Sequence, residues 1–379
     1  MKNFQFDRSD YAVSFNGERV VLLPKEYHLL HYLFEHLNQT LSREALLDGV
    51  WPMEAPTDRT VDDHVYRLRK KLAAFDRVAI ETVRGTGYRL KIKQTHEDNP
   101  LSHDQEFKES MDVLFRKYIL FGQGTGLKSI ASQHDALAIP IEIHKKVYLH
   151  FVNGDFRWFV LDSPDVPFSQ KLFYLLHIYG IIQFRFDQTC MYAEKALQSN
   201  VLPWVQHQEF DVFGMIGIYL NNGDFEQAAR KINFVHSKMD AGEMNKDIST
   251  FIKVQEIKLA LASRQSESLE SHFAAGDQLF HNYPYLREKG RYLMLKGFAN
   301  WMNASRKEGL QLMDEGFATL GTSKFVPNMV NGVKDMMDLG RHLSIEVPKE
   351  YQAKWDTLSK QHDFKGLATE LERLFRQSL

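Results

Sequence analysis

The sequence lacks several features that mark particular classes of protein. Its 379 residues include one cysteine, Cys190, which excludes an intramolecular disulfide and favours a reducing compartment. No signal peptide opens the chain, and no apolar run approaches the roughly 18 residues that a membrane-spanning helix needs. The net charge is only −2, so neither sign of charge dominates the chain. We therefore expect a cytoplasmic protein whose length favours two or more domains.

Catalytic and metal-binding motifs are also scarce. The segment GQGTGLKS, residues 122–129, is similar to a phosphate-binding loop, but Leu127 separates the last glycine from the lysine that should follow it directly. We interpret this segment as a turn between helices. His144 and His150 have no nearby cysteine with which to form a ligand set, and no nucleophile elbow is present. We expect no enzymatic activity, cofactor or metal, and Cys190 is expected to be a packed helical residue.

Cationic residues are concentrated on one short segment near the N-terminus. Residues 1–94 contain fifteen lysines and arginines against thirteen acidic residues. In residues 58–72, DRTVDDHVYRLRKKL, the apolar residues recur at steps of four, three and four, which predicts a helix with one buried face and one cationic face. The apolar residues are Val61, Val65, Leu68 and Leu72. Asp58 or Thr60 is expected to cap the first turn, whose free N–H groups suit a phosphate.

A β-hairpin is predicted directly after this helix. Residues 78–82 alternate between apolar and polar as in a strand, and a second strand over residues 88–92 follows the turn RGTG at residues 84–87. Arg84 is therefore expected at the tip of the hairpin. A cation on a thin β-ribbon can enter a minor groove while the helix occupies the adjacent major groove.

The segments upstream give this pair of elements a recognisable context. Residues 4–23 predict short strands with a turn at Asn16–Gly17, Pro24 begins a helix in LPKEYHLLHYL, and Ser42 begins another in SREALLDGVW. This order of strands, three helices and a terminal hairpin, together with DRTVDDHVYRLRKKL and ETVRGTGYRL, resembles the OmpR/PhoB-type winged-helix DNA-binding domain. The resemblance extends over residues 4–92 and implies that the chain binds double-stranded promoter DNA.

The resemblance also implies which residues contact DNA. They fall into phosphate contacts at the start of the recognition helix, further contacts along it, a backbone contact at the end of the second helix, and the wing. The phosphate contacts are Arg59 and Thr60. The contacts along the helix are Asp63, His64, Tyr66, Arg67, Arg69 and Lys70, of which Asp63, His64 and Arg67 lie nearest the base edges. Trp51 is the backbone contact, and Thr82 and Arg84 are the wing contacts. The acid at Asp63 either reads a cytosine amino group or repels phosphate.

Many members of this family carry a receiver with an acceptor aspartate before the DNA-binding domain. Here the domain begins at the first methionine. We therefore expect that phosphorylation of a built-in receiver is not the switch.

Beyond the predicted linker at residues 95–105, helical periodicity dominates. Amphipathic helical segments are predicted at residues 170–186, 206–220, 225–239, 250–262, 286–302 and 307–320. The turn FVNGDF at residues 151–156 resembles LNNGDF at residues 220–225, and weaker equivalents recur at intervals of roughly 32 to 41 residues, the range of paired-helix repeats. GIYLNNGDFEQAARKI, residues 217–232, resembles the turn of a tetratricopeptide repeat. The fold class is therefore mainly α, with a winged helix in residues 1–94 and a tetratricopeptide-like repeat domain in residues 106–379.

One segment of this region allows two interpretations. Residues 146–161 contain an Asn-Gly pair with aromatic and β-branched flanks, which is typical of a β-hairpin. The spacing of Ile139, Ile143, Val147 and Phe151 at steps of four favours a helix instead.

These features together predict a DNA-binding transcriptional regulator that acts as a homodimer on repeated half-sites. The repeat domain is expected to bind an effector, such as a signalling peptide, on its concave surface. Asn222, Tyr292, Asn300 and Asn303 are candidate contacts, because amides pair an extended backbone and rings supply contact area. In the alternative hypothesis, the repeat domain is a scaffold for dimerisation or protein docking and binds no small effector.

Overall fold

The fold consists of two compact units, Met1–His103 and Asp104–Leu379, here called the N-terminal unit and the helical unit. The computed structural model describes residues 4–15, 18–52, 57–75, 77–92, 99–139, 141–163, 166–199, 201–303 and 305–379. The predicted turn at Asn16–Gly17 and residues 95–98 of the predicted linker lie outside these residues. The rest of the predicted linker is partly ordered, because Pro100–His103 form a 3₁₀ turn and the next helix begins at Gln105.

In its described residues, the N-terminal unit forms two three-stranded antiparallel sheets and three α-helices. Its elements are β1 (Phe4–Asp7), β2 (Ala12–Phe15), β3 (Glu18–Val21), α1 (Pro24–Glu35), β4 (Leu41–Ser42), α2 (Arg43–Val50), α3 (Asp58–Leu72), β5 (Val78–Val83) and β6 (Gly87–Ile92). One sheet has the order β1-β2-β3 and the other β4-β6-β5. The predicted strands, helices and terminal hairpin are confirmed.

The first turns of α2 and α3 differ in how they are capped. Ser42 caps α2, since its hydroxyl accepts a hydrogen bond from the backbone N–H of Ala45 at 3.1 Å. For α3 the residue at the cap position is Thr57, whose side chain makes no capping hydrogen bond. The prediction that Asp58 or Thr60 caps α3 is therefore wrong, because both residues already lie within the first helical turn.

A buried carboxylate joins the first and third helices. Glu26, on α1, is 1% exposed and accepts a hydrogen bond from the backbone N–H of Leu23 at 2.9 Å, which satisfies one of the free donors at the start of α1. The same oxygen accepts a hydrogen bond from Nζ of Lys71 on α3 at 2.7 Å. Lys71 is thereby removed from the cationic face that the sequence predicts.

The apolar face of α3 packs into the core of the N-terminal unit, as predicted. Val61, Val65, Leu68 and Leu72 are all buried in one cluster with side chains of α1, α2 and both sheets. The wing is held against β4 at Gly87, where a Cβ atom would lie 2.0 Å from the carbonyl oxygen of Leu41. Only glycine permits this approach.

The helical unit is built of α-helices joined by short turns. They are α4 (Gln105–Leu120), α5 (Gly124–Gln133), α6 (Ile143–Asn153), α7 (Trp158–Leu161), α8 (Phe168–Ile182), α9 (Phe186–Gln198), α10 (Trp204–Glu209), α11 (Met215–Asn222), α12 (Phe225–Asp240), α13 (Ser249–Ala262), α14 (Ser266–Asn282), α15 (Leu286–Met302), α16 (Arg306–Ser323), α17 (Val326–Leu343), α18 (Lys349–Gln361) and α19 (Phe364–Ser378). In the described part of the chain, no helix is both long and apolar enough to cross a membrane.

The predicted helical segments are confirmed with two differences. The segment predicted over residues 206–220 comprises α10, a π-helical stretch at Phe210–Gly214, and α11. The segment predicted over residues 170–186 ends earlier, because α8 stops at Ile182 and α9 begins at Phe186. Cys190 lies half-buried in α9, where burial and the nearby Glu194 carboxylate raise the pKa of its thiol to about 11.

The two Asn-Gly-Asp motifs form the same helix ending. Gly154 ends α6 with φ +76°, and Gly223 ends α11 with φ +82°, the left-handed conformation that glycine adopts most readily. In each case the following aspartate donates its backbone N–H to a carbonyl of the last helical turn, from Asp155 to His150 at 3.0 Å and from Asp224 to Tyr219 at 2.9 Å. Residues 146–161 thus form the end of α6, a turn and α7, and the β-hairpin alternative is wrong.

The close packing of α15 against α16 depends on glycine. A Cβ atom on Gly297 would lie 2.6 Å from the carbonyl oxygen of Gly309, and one on Gly316 would lie 2.6 Å from the carbonyl oxygen of Gly290. The backbones of the two helices therefore approach each other at two levels where no side chain fits between them.

The glycine-rich segment at residues 122–129 is mostly helical, so its prediction as a turn is wrong. Gly122 lies in the turn after α4, but α5 already begins at Gly124. Leu127 is fully buried, and a Cβ atom on Gly126 would lie 3.0 Å from the ring of Tyr118. The glycines in α5 allow close packing and form no loop that could surround a phosphate.

Candidate nucleic-acid interface

The exposed face of α3 carries most of the predicted DNA contacts. The predicted contacts that are exposed there are Arg59, Asp63, Tyr66, Arg67, Arg69 and Lys70. Lys70 places its Nζ 4.7 Å from the ring centroid of Tyr66, which is 60% exposed. Among the described residues, Arg59 and Arg67 have neither a hydrogen-bond nor an ion-pair partner. These two guanidinium groups are therefore available to an external anion.

Arg69, a predicted DNA contact, is hydrogen-bonded within the protein. Its Nε and Nη2 donate hydrogen bonds to the carbonyl oxygen of Ile80 at 2.8 and 2.6 Å, and Nη2 also donates to Oγ1 of Thr82 at 2.8 Å. Thr82, predicted as a wing contact to DNA, thus accepts a hydrogen bond from within the protein. The pair links the cationic helix to the first strand of the wing.

A second polar contact fixes the same helix to α2 and β6. Oδ1 of Asp62 accepts hydrogen bonds from the hydroxyl of Tyr88 at 2.6 Å and from Nε of Arg43 at 2.8 Å. Both hydrogen bonds lower the pKa of the Asp62 carboxyl, and the one from Tyr88 has the larger effect. Burial, together with the Asp62 contact, raises the pKa of the Tyr88 hydroxyl. The sequence analysis missed this cluster, whose members come from three elements.

The turn of the wing presents one free cation. Thr86 donates its backbone N–H to the carbonyl oxygen of Val83 at 3.0 Å, and Gly85 adopts φ +75° with open space around it. Arg84 is exposed at this turn, as predicted, and has no hydrogen-bond or ion-pair partner in the described part of the chain. The wing can therefore extend a guanidinium group away from the protein.

The prediction for Trp51 is corrected by the structure. Its indole is 3% exposed and packs in the core, with Nζ of Lys25 5.7 Å from the ring centroid. The ring of His64 meets it edge to face at 5.1 Å, and Nδ1 of His64 lies 2.8 Å from the carbonyl oxygen of Thr60. Trp51 therefore supports the start of α3 from inside and presents little surface to DNA, while His64 and Thr60 are only partly exposed.

A second candidate site is a cavity of about 540 Å³ inside the helical unit, called the cavity below. None of the four predicted effector contacts lines it among the described residues: Asn222, Tyr292, Asn300 and Asn303 all lie elsewhere. Tyr292 is buried and donates its hydroxyl to Oδ1 of Asp277 at 2.6 Å. The residues that line the cavity include their sequence neighbours Asn221 and Arg291. Asn222 and Tyr292 thus lie next to lining residues, whereas Asn300 and Asn303 do not, and all four contacts stay predictions.

Comparison with known proteins concerns the N-terminal unit. Residues 17–90 match the family described as transcriptional regulatory protein, C terminal. The chain is 43% identical over 90 residues to the transcriptional regulatory protein VxrB of Vibrio cholerae, and 47% identical over 89 residues to the uncharacterized transcriptional regulatory protein YclJ of Bacillus subtilis. These alignments cover 24% and 23% of this chain, and 36% and 39% of the two relatives. The chain thus spans little more than a third of the curated relatives that it matches.

Among solved structures, the DNA-binding domain of E. coli CadC matches at 32% identity with a TM-score of 0.23, over 24% of this chain and 87% of that one. The family match falls on the residues that form α1 to α3 and the wing. The N-terminal unit therefore carries a winged-helix DNA-binding domain of the OmpR/PhoB type.

Proposed function

We propose that the whole chain is a transcriptional regulator that binds promoter DNA with α3 in the major groove and the wing in the adjacent minor groove. The observation that carries this proposal is the separation of two kinds of cation on the N-terminal unit. Arg59, Arg67 and Arg84 are exposed without partners in the described residues, whereas Arg69 and Arg43 are hydrogen-bonded within the protein. Partnered cations hold the helix and the wing in position, and free cations are left to meet phosphates and bases.

The three free arginines have different expected roles. Arg59 lies in the first turn of α3, where the N–H groups of the helix start also attract phosphate. Arg67 is exposed along α3 and suits bidentate contact with a guanine edge. Arg84 at the wing suits a narrow minor groove, whose negative potential attracts arginine.

The test is DNA binding by the full chain on a site recovered by genome-wide mapping of bound DNA. We expect Arg67→Ala and Arg84→Ala each to weaken specific binding by about 1–3 kcal/mol, or roughly 5- to 150-fold. Arg59→Ala should weaken specific and non-specific binding alike and reduce the salt slope of the binding constant by about one.

Arg8→Ala is the matched control, because Arg8 is exposed in the turn between β1 and β2, in the other sheet. It should leave affinity unchanged. If all three interface variants bind as tightly as the control, α3 and the wing are not the DNA-binding surface.

We further propose that the helical unit is a tetratricopeptide-like repeat that controls DNA binding by receiving an effector. The hairpins α8–α9, α11–α12, α13–α14 and α15–α16 each contribute only their first helix to the lining of the cavity among the described residues. An arrangement with one helix of each pair inside is what a stack of helical hairpins with a concave inner surface requires. Two copies of the chain on repeated half-sites would supply the affinity that a single winged helix lacks.

Effector binding is tested by thermal unfolding of the full chain in fractionated culture extracts. A ligand that binds only the folded protein raises the melting temperature, by linkage. A fraction that raises it, and that also changes DNA affinity, supports control by an effector. If no fraction shifts the melting temperature and the chain is a stable dimer, the helical unit is a scaffold for dimerisation or docking instead.

A further inference from the structure

The cavity combines an apolar wall with charged groups. Aromatic rings form much of the lining, among them Phe151, Phe173, Phe213 and Phe251. Its volume of about 540 Å³ falls within the range of roughly 300–1,000 Å³ that small-molecule sites occupy. The apolar wall selects a ligand with apolar side groups, and the polar atoms along the wall restrict its chemistry further.

One buried cluster in the cavity wall, Lys258, Arg291 and Asp335, holds two cations and one carboxylate. Asp335 accepts a hydrogen bond from Nζ of Lys258 at 2.5 Å and two from Arg291 at 3.0 and 2.6 Å, and all three side chains are buried. Burial opposes ionisation of Asp335, but the attraction of Arg291 and Lys258 outweighs it and lowers the pKa of the carboxyl. Two cations thus share one carboxylate. Lys258 and Arg291 both line the cavity, where their surplus charge favours an anionic group.

A carboxylate from another part of the wall has no partner. Glu209, at the end of α10, lines the cavity and has neither a hydrogen bond nor an ion pair among the described residues. Its side chain is exposed at the cavity, and partial desolvation by the protein atoms around it raises the pKa of its carboxyl. A cationic group in the cavity would compensate it.

Three buried polar atoms of the wall also lack partners. They are Oε1 of Gln206, Nε of Arg287 and Oε2 of Glu288. The first and last accept hydrogen bonds and the second donates one. Unpaired buried polar atoms are costly, so rotation of these three side chains toward a ligand that offers both N–H and C=O groups is favourable.

We propose that the cavity binds a short, mainly apolar peptide with free termini, its carboxylate at Lys258 and Arg291, its ammonium group at Glu209, and its amides at Gln206, Arg287 and Glu288. This inference rests on the proposed function, in which the helical unit receives an effector. A phosphorylated or otherwise polyanionic ligand would be repelled by Glu209 and Glu288. A purely apolar ligand would leave the buried polar atoms and the Glu209 carboxylate unpaired.

The probe is an equimolar mixture of tripeptides composed of Leu, Phe and Val, applied to the full chain and followed by native mass spectrometry and calorimetry. The same mixture is prepared with acetylated N-termini and, separately, with amidated C-termini. We expect the free peptides to bind and each blocked mixture to bind roughly tenfold more weakly or worse, because each loses one charge-assisted contact. If the free mixture does not bind, or if both blocked mixtures bind equally well, the inference is overturned.

Two glycines give a matched pair of variants that separates loss of the site from loss of the fold. A Cβ atom on Gly217, in α11, meets nothing within 4 Å, and this residue lines the cavity. A Cβ atom on Gly321, in α16, also meets nothing within 4 Å, but this residue does not line the cavity. Gly217→Leu should abolish peptide binding while Gly321→Leu retains it. Equal binding by the two variants would show that the peptides bind elsewhere.

Glu209→Gln tests the ammonium contact directly. The variant should bind the free peptides roughly tenfold more weakly and the acetylated peptides as wild type does. An equal loss for both sets would contradict the assigned orientation.

DNA binding is measured on the same variants in the absence of peptide. If no peptide binds but Gly217→Leu changes regulation of a reporter gene, the peptide inference fails and control by an effector stands. If Gly217→Leu changes neither peptide binding nor regulation, the peptide inference and control by an effector both fail. DNA binding is then still tested independently by the arginine variants.

Discussion

On α3, Arg59 and Arg67 extend into solvent without partners in the described residues, whereas Lys258 and Arg291 of the helical unit are buried around one carboxylate, Asp335. Both sets lie on helices, but only the α3 set lies in a segment that is visibly cationic in the sequence. The difference lies in whether another part of the fold supplies an anion. In the N-terminal unit the free cations can stabilise an external phosphate, whereas Lys258 and Arg291 join three helices of the helical unit through Asp335.

The comparison also shows that partnered cations differ in their surroundings. Arg69 and Arg43 make their hydrogen bonds at the surface, where water competes and moderates their strength. Lys334 and Asp338 form an ion pair at 2.6 Å with both side chains fully buried. Removing one partner should therefore cost far more in the helical unit than in the N-terminal unit.

The largest effect is expected at the centre of the buried cluster. Asp335→Ala leaves Lys258 and Arg291 buried without their shared carboxylate and should lower the free energy of unfolding of the helical unit by about 3–5 kcal/mol. Asp356→Ala is the control, since Asp356 is exposed on α18 and should change stability by less than about 0.5 kcal/mol. Urea unfolding followed by helical circular dichroism measures both. Similar midpoints for the two variants would mean that the buried charges are not coupled as the structure indicates.

A smaller effect is expected where backbones touch. Gly297→Ala places a methyl group against the carbonyl oxygen of Gly309 and should destabilise the α15–α16 pair by about 1–3 kcal/mol. Gly321→Ala, in the same helix pair but in open space, should be neutral or stabilising by up to about 1 kcal/mol, because alanine favours helix over glycine. Thermal unfolding of both proteins compares them, and a stabilising Gly297→Ala would refute the close approach of the two helices.

A third test contrasts two arginines on the same helix. Arg69→Ala removes the hydrogen bonds to Ile80 and Thr82 and should lower stability by about 1–2 kcal/mol, whereas Arg67→Ala should stay within about 0.5 kcal/mol. In DNA binding the order should reverse, provided that affinity is measured below the melting temperature of each variant. If both variants lose stability equally, Arg69 does not differ from Arg67 in supporting the fold, and the comparison fails.

The smallest effect is a pH dependence in the N-terminal unit. The hydrogen bonds from Tyr88 and Arg43 lower the pKa of Asp62 from its ordinary value of 3.8. Their contribution is therefore complete above that value and is lost as the pH falls through the lowered pKa of the folded protein. Asp62→Asn should flatten this part of the acid-unfolding curve. A curve that coincides with that of the wild type would leave Asp62 without a role in acid stability.

The winged helix is predictable from sequence because its signals are local. The apolar steps from Val61 to Leu72 and the turn at Arg84 each follow from neighbouring residues. Pairings between distant residues give no such signal. Asp335 lies 77 residues from Lys258, and nothing in either local sequence indicates that they meet.

The predicted effector contacts illustrate a second limit. Tyr292 and Asn222 were chosen for their chemistry, yet the adjacent Arg291 and Asn221 line the cavity. Successive residues of a helix point about 100° apart, so an error of one position changes the face. Which face is internal depends on how the hairpins stack. Likewise Trp51 is predicted to contact DNA at the surface but lies in the core, because side chains from other helices pack around it.

The contact between Arg69 and β5 has a mechanical consequence. Together with the Asp62–Tyr88 hydrogen bond to β6, it braces the helix and the wing from both strands of the hairpin. The spacing between α3 and the wing is therefore fixed in the absence of DNA, so little conformational entropy is lost on binding. In the proposed function, a regulatory signal is therefore expected to act by changing how many copies of the chain bind a promoter rather than by reshaping the helix–wing pair.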